Sequence, residues 1–123
     1  PMLNSTKQIL KTKKECIHLL NEFSISLDDI LFVDEWDRSK VANVILVDHN
    51  ELDEKERNLF EFRQLVVGIV DHHVDKNDFL HARPRLIKSI AGSNSSLIIS
   101  LFEESKLDLD ETLARMLYSP ILS

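Results

Sequence analysis

Two continuous apolar runs stand out along the chain, at residues 43–47 and 65–70. Both are rich in β-branched residues, a pattern typical of strands that are buried on both faces of a parallel sheet. The roughly 17 residues between them are polar at first, over 51–58, and leave room for a crossover with a helical turn or two. This part of the chain therefore predicts two parallel strands joined by a crossover.

The flanking segments alternate between helical and extended patterns. Apolar residues at helical spacing predict helices at residues 7–23, at 94–104, and from 108 to 117 or beyond, and short apolar runs predict strands at residues 30–33 and 85–90. Asp108 or Asp110 is the predicted cap of the last helix. Alternating strands and helices with buried strands predict an α/β fold, in which helices flank a mostly parallel sheet.

The composition is that of a globular protein with one domain at most: 123 residues, 43% hydrophobic and 29% charged. No apolar run reaches the roughly 18 residues that span a bilayer, and the first residues lack the pattern of a signal peptide. Cys16 is the only cysteine, which excludes an internal disulfide and four-thiolate metal sites. These features predict a cytoplasmic protein without a membrane segment.

The charge balance narrows the range of partners. The formal net charge is −6, which argues against broad nucleic-acid binding because that function needs a basic face. An anionic substrate is still compatible, since bound cations reverse the local field. An acidic protein that acts on phosphates is therefore expected to use a metal.

Two polar triplets follow the two central strands. Asp48, His49 and Asn50 come after the first strand, and the triplet 71–73 (Asp, His, His) comes after the second. In open parallel sheets, sites form beyond the carboxyl ends of the strands. Carboxylate and imidazole together suit Mn²⁺, Mg²⁺ or Co²⁺. Either triplet alone is compatible with ordinary turn residues, but the two at successive strand ends favour a metal site.

The same residues carry a resemblance to a known family. Residues 44–51 resemble the second motif of family II, manganese-type inorganic pyrophosphatases. Residues 67–73 are similar to the third motif, which gives the DHH phosphoesterase superfamily its name. Residues 14–33 and 82–97 look most like the exopolyphosphatase and prune branch. The resemblance covers nearly the whole chain and implies a DHH domain.

The resemblance implies a role for each matched side chain. Asp48 would bridge two divalent metals, Mn²⁺ or Mg²⁺ with Co²⁺ as a further candidate, and His72 would bind one of them. Asp71 would orient the histidines. His73 would contact the substrate phosphate or stabilise the leaving group, so His73 and Asp71 are the implied catalytic residues.

Further residues are candidates for binding the substrate. Gly92, Ser93 and Asn94 open a predicted helix, whose backbone N–H groups could hold a phosphate. A plain helix start explains these three equally well. The basic residues Arg83, Arg85 and Lys88 could contact a polyanion, and a solvated basic strand is an equally good explanation. The roles of His49 and Asn50 remain open.

The activity implied by the resemblance is two-metal hydrolysis of phosphoanhydride bonds in polyphosphate or pyrophosphate. Three other readings remain: hydrolysis of cyclic nucleotides, a non-catalytic interaction domain of the prune type, and an unrelated α/β binding domain. Nothing before Lys14 matches the first metal motif of the family, and its fourth motif and second domain are also missing from the sequence. Residues 1–123 are therefore expected to be a partial DHH domain, weak or inactive alone and prone to self-association.

Overall fold

The chain contains both helices and strands in the structure, a computed structural model that describes residues 2–3, 5–35, 37–59 and 63–122. The chain divides into two compact units, Pro1–Lys40 and Val41–Ser123. The second unit contains a parallel three-stranded sheet with helices against it. This arrangement confirms the predicted α/β class. No helix within the described ranges is long and apolar enough to cross a membrane.

The first unit holds a small parallel sheet and two short helices. Strands β1 and β2 pair in parallel, and the elements are β1 Met2–Leu3, α1 Lys7–Thr12, α2 Lys14–Glu22 and β2 Leu31–Phe32, with single 3₁₀ turns at Leu27–Asp29 and Arg38–Lys40. The predicted strand at residues 30–33 is thus shorter than expected. Its core residue is Phe32, which is fully buried.

The single helix predicted over residues 7–23 is wrong, because the chain leaves helical geometry at Lys13, where φ is −89° and ψ is 81°. The hydroxyl of Thr12 donates to the carbonyl of Ile9 at 2.7 Å. Such a side-chain bond to the preceding turn competes with continuation of the helix. Thr6 caps the first piece by accepting from Ile9 N at 3.3 Å.

The second unit is built on three parallel strands in the order β3-β4-β5. The strands are β3 Val44–Val47, β4 Val66–Asp71 and β5 Arg85–Ile87, and the crossover after β3 contains helix α3 Glu54–Leu59 and a 3₁₀ turn at Arg63–Leu65. The central strand β4 is the most buried of the three. The crossover and both predicted central strands are therefore present.

Strand β3 is not buried on both faces, contrary to the prediction. Leu46 is 2% exposed, whereas Ile45 and Val47, on the opposite face, are 58% and 49% exposed. Among the described strands, β3 pairs with β4 alone. A continuous apolar run does not by itself show that both faces of a strand are covered.

Strand β5 ends at Ile87 rather than at residue 90. Lys88 N donates to the carbonyl of Asp71 at 3.0 Å, and Ala91 N then donates to the carbonyl of Lys88 at 3.1 Å. That turn stops the strand. It also brings the segment that precedes the next helix to the end of β4.

Two helices complete the unit, α4 Asn94–Glu104 and α5 Glu111–Leu122. Helix α4 has the predicted bounds and packs against both β4 and α5. Asp110 is the cap of α5, because its Oδ1 accepts from Leu113 N at 2.8 Å. The α5 helix therefore starts later than the predicted residue 108.

Candidate metal centre

The carboxyl ends of β3 and β4 lie side by side. Val47 pairs with Val70, and Asp48 N donates to the carbonyl of Val70 at 3.0 Å. Asp48 adopts φ 68°, in the left-handed region, which aspartate tolerates better than branched residues do. The chain turns there, and the Asp48 carboxylate stays 61% exposed.

The structure brings three of the predicted side chains into one cluster. Asp48, His72 and His73 each contribute a potential ligand atom, and these atoms all lie within 4.8 Å of one another. Nε2 of His72 is 3.1 Å from Oδ1 of Asp48. The rings of the two histidines are tilted against each other with centroids 4.4 Å apart.

A backbone carbonyl group orients the imidazole ring of His72. Its Nδ1 lies 3.1 Å from the carbonyl oxygen of Ala91. A carbonyl only accepts, so Nδ1 carries the proton, and in the neutral ring Nε2 presents a lone pair towards Asp48. Two lone pairs 3.1 Å apart repel unless a proton or a cation lies between them.

This donor set fits a divalent cation. With metal–ligand distances of about 2.1 Å, adjacent ligands of an octahedral ion are roughly 3.0 Å apart. The 3.1 Å between His72 Nε2 and Asp48 Oδ1 matches that spacing. Carboxylate and imidazole donors are compatible with Mn²⁺ and Mg²⁺.

Asp71 is the buried anchor of the cluster, with no exposed surface. Its Oδ1 accepts from Nδ1 of His73 at 2.8 Å and from the backbone N–H groups of His72 and His73 at 2.8 and 3.3 Å. Burial is the largest influence on its pKa and opposes ionisation, but hydrogen bonds led by that from Asn50 lower the pKa below its ordinary value. The ionised carboxylate therefore fixes the His73 ring with Nε2 free.

His49 is held beside the cluster by Glu56, a residue that the sequence analysis missed. Nε2 of His49 lies 2.8 Å from Oε1 of Glu56, which is 3% exposed, and Nδ1 lies 3.0 Å from the carbonyl of Val47. The close contact with the Glu56 carboxylate is the main cause of a raised pKa for His49. The acceptor oxygens near both ring nitrogens favour the imidazolium, which would form an ion pair with Glu56.

A sequence signal for Glu56 did exist. Asp53 N donates to Oε2 of Glu56 at 2.9 Å, and Glu56 N donates to Oδ1 of Asp53 at 2.8 Å. This reciprocal pair is a capping box at the start of α3, and its residue spacing is readable from sequence. The spacing predicts the cap but not the contact with His49, which depends on the path of the loop after β3.

The predicted substrate residues Arg85 and Lys88 have different surroundings. The Arg85 guanidinium forms two 2.7 Å bonds to the carboxylate of Asp75 and a 3.0 Å bond to the carbonyl of Asp78. Arg85 therefore stabilises the conformation of the long loop between β4 and β5. Lys88 is exposed just beyond β5, next to Asp71, and the described residues offer no partner for its ammonium.

The predicted phosphate-binding segment, Gly92 to Asn94, lies next to the cluster because Ala91 contacts His72. A Cβ added at Gly92 would meet no heavy atom within 4 Å, so the space above it is open. Ser93 Oγ is occupied in capping α4, where it accepts from Ser95 N at 3.2 Å. Asn94 is 8% exposed, and its Oδ1 finds no partner among the described residues.

Comparison with known proteins places the chain in a family. The family model described as "DHH family, N-terminal domain" matches residues 3–121. A Schizosaccharomyces pombe protein named "Putative exopolyphosphatase" is 37% identical over 137 residues, which cover 99% of this chain and 35% of that protein.

Bacterial relatives carry a second name. A Streptococcus equi subsp. equi protein named "Probable manganese-dependent inorganic pyrophosphatase" is 39% identical over 83 residues, covering 67% of this chain and 26% of that protein. A Streptococcus thermophilus protein of the same name is 30% identical over 112 residues, covering 89% and 34%. The chain spans about a third or less of the length of these relatives. It belongs to the DHH family and matches the N-terminal domain of that family.

Proposed function

We propose that the protein hydrolyses phosphoanhydride bonds of polyphosphate or pyrophosphate with the help of divalent metal ions. The observation that carries this proposal is the cluster of Asp48, His72 and His73 at the carboxyl ends of β3 and β4. The names of the relatives support the substrate class. The ion is proposed to be Mn²⁺ or Mg²⁺, with Co²⁺ as a further candidate.

The side chains have separate tasks in this proposal. Asp48 and His72 hold metal, and bound metal ions activate water and neutralise charge on the phosphoryl oxygens. His73, fixed by Asp71, presents Nε2 to a phosphate oxygen. The bound metal ions supply positive potential at this edge of the sheet, which favours an anionic substrate.

Lys88 is proposed to contact a phosphate group next to the reacting one. Its ammonium is a mobile donor without a partner among the described residues, which suits a flexible polyanion. The open space over Gly92 leaves room for a phosphate near the backbone N–H groups that begin α4. Ser93 and Asn94 remain proposed substrate residues on this basis.

The full metal site is proposed to hold two ions and to need more of the protein. Asp48 and His72 alone offer few donors for two ions that each prefer six ligands. Residues 1–123 are accordingly proposed to form part of a DHH domain, with further ligands supplied by other segments of the full-length protein. The expected weak activity of the isolated chain follows from this proposal.

The test is phosphate release from tripolyphosphate and pyrophosphate by the full-length protein with Mn²⁺. His72→Ala is expected to lower kcat by at least about tenfold, because even the groups that only orient metal ligands typically contribute 10–100-fold to activity. His18→Ala is the matched control, since His18 is exposed on α2. Equal phosphate release by His72→Ala and the unmodified protein would contradict the proposal.

A second assay separates the alternatives. Cyclic nucleotides are offered in place of tripolyphosphate, and the nucleoside monophosphate product is measured by chromatography, because opening of the cyclic phosphodiester releases no free phosphate. A scaffold of the prune type would hydrolyse none of these substrates and would bind its partners equally well with His72→Ala. The cluster of three potential ligands at the carboxyl ends of β3 and β4 favours hydrolysis over a scaffold role.

A further inference from the structure

Asn50 lies at the junction between the two strand ends, with 3% of its surface exposed. Its amide nitrogen donates to Oδ2 of Asp71 and to the carbonyl of Val74, the latter at 3.1 Å. Its amide oxygen accepts from Lys76 N at 2.9 Å. One side chain from the loop after β3 thus holds both the carboxylate at the end of β4 and the loop that follows it.

The three contacts need an amide. Both donors of Asn50 face acceptors, and its oxygen faces an N–H group, so the amide has one satisfactory orientation. An aspartate would turn a carboxylate towards Asp71 and the Val74 carbonyl. A smaller side chain would take one donor from the buried Asp71 carboxylate and would also remove the partner of the part-buried Val74 carbonyl and of Lys76 N, which is costly chiefly at Asp71.

Asp71 connects Asn50 to the two histidines of the cluster. Its Oδ2 is bound by Asn50, and its Oδ1 is bound by the ring of His73 and by two backbone N–H groups. Rotation of the Asp71 carboxylate would break all of these bonds together. The ring of His73 therefore depends on Asn50 through a single buried carboxylate.

We propose that Asn50 is a positioning residue for the metal centre: it acts through Asp71 to fix the backbone of the metal ligand His72 and the ring of His73, and it holds the backbone of the loop beyond them. This inference rests on the proposed metal site and adds the side chain that preorganises it. Groups that orient metal ligands typically change metal affinity 10–100-fold when they are removed.

The first variant is Asn50→Ala in the full-length protein, with Mn²⁺ binding measured by calorimetry. We expect a loss of affinity of roughly 10- to 100-fold. Asn43→Ala is the matched control, because Asn43 is an exposed asparagine just before β3, at the opposite end of the strand. The control is expected to bind Mn²⁺ like the unmodified protein.

A second comparison exchanges the donor and the acceptor. In Asn50→Asp/Asp71→Asn, the new amide at position 71 can donate to the new carboxylate at position 50, and its oxygen can still accept from His73. Asn43→Asp/Asp71→Asn restores the same net charge without that hydrogen bond. The first double variant is expected to bind Mn²⁺ at least about tenfold more tightly than the second, since contacting pairs show such coupling.

Mn²⁺ affinity for Asn50→Ala equal to that of the unmodified protein would overturn the inference. If Asn50→Ala does not fold, the double variants decide, and equal affinity of the two would overturn it. Absence of Mn²⁺ binding by the unmodified protein would contradict the proposed metal site itself, so failure of the inference and failure of the proposed function give different results.

Discussion

At the residue scale, the buried carboxylate of Glu56 stabilises the loop that carries the metal-site residue Asp48. Its carboxylate is 3% exposed and has two partners, the His49 ring and the backbone N–H of Asp53. A buried carboxylate without partners would be strongly unfavourable. Here it connects helix α3 to the loop that carries Asp48 and Asn50, so the start of the crossover helix helps to fix the metal-site loop.

Glu56→Gln is expected to lower the free energy of unfolding by about 1–3 kcal/mol, because it replaces a charge-assisted hydrogen bond with a neutral one of similar shape. The measurement is urea unfolding followed by circular dichroism. Glu54→Gln is the matched control in the first turn of the same helix, where the side chain is exposed; it is expected to stay within about 0.5 kcal/mol. Equal stability of the two variants would contradict the assigned role of Glu56.

The meeting of Asp48 with His72 was within reach of sequence reasoning, whereas the contacts of Asn50 and Glu56 were not. Residues that directly follow neighbouring parallel strands must share one edge of the sheet. The side chain of Asn50 reaches Asp71 only because the left-handed turn at Asp48 sends the loop back over β4. No local pattern encodes the path of such a loop.

At the element scale, the two basic residues of the β5 segment lie at opposite ends of the strand. Arg85 begins the strand and pairs with Ile69, inside the sheet, and its guanidinium is engaged by Asp75. Lys88 follows the strand at the edge where the metal cluster lies. The two residues were predicted as equivalent substrate contacts, but their positions on the strand give them different surroundings.

Lys88→Ala is therefore expected to raise KM for tripolyphosphate about tenfold with unchanged stability, the equivalent of one charge-assisted hydrogen bond. Arg85→Ala is expected to lower the free energy of unfolding by about 1–3 kcal/mol, because Asp75 and the Asp78 carbonyl lose their donor. Steady-state kinetics and urea unfolding in the full-length protein measure the two effects. Lys11→Ala, an exposed site on α1, controls for loss of a surface charge. An unchanged KM for Lys88→Ala would remove Lys88 from the substrate site.

The elements themselves were predicted to different degrees for physical reasons. Strand β4 and helix α4 follow their apolar patterns closely because both are packed within the sheet-and-helix layers of the second unit. The break between α1 and α2 depends on one hydroxyl of Thr12 that bonds to the preceding turn, and hydrophobic periodicity does not register such a bond. The exposed face of β3 depends on which elements cover the sheet, which is information about tertiary structure.

The whole molecule is acidic, with a formal net charge of −6, yet its proposed substrates are polyanions. Local cations resolve this conflict: bound metal ions and Lys88 would lie at one edge of the sheet. Substrate binding is then expected only with metal present. The predicted self-association and cytoplasmic location stay predictions.

The number of metal ions bound best tests the proposal that segments of the full-length protein outside residues 1–123 supply further metal ligands. Residues 1–123 present Asp48, His72 and His73 as one cluster of potential ligands within the described ranges, too few donors for two ions that prefer six ligands each. The isolated chain is therefore expected to bind Mn²⁺ at least about tenfold more weakly than the full-length protein, and fewer ions per chain.

Electron paramagnetic resonance of free Mn²⁺ during a titration counts the ions that each protein binds. His72→Ala in the isolated chain is the internal control, because removal of one ligand from an already incomplete set should abolish the remaining binding. Two tight Mn²⁺ sites in the isolated chain would show that its own residues complete the centre, and the proposal of a partial domain would then fall while the proposed hydrolysis would stand.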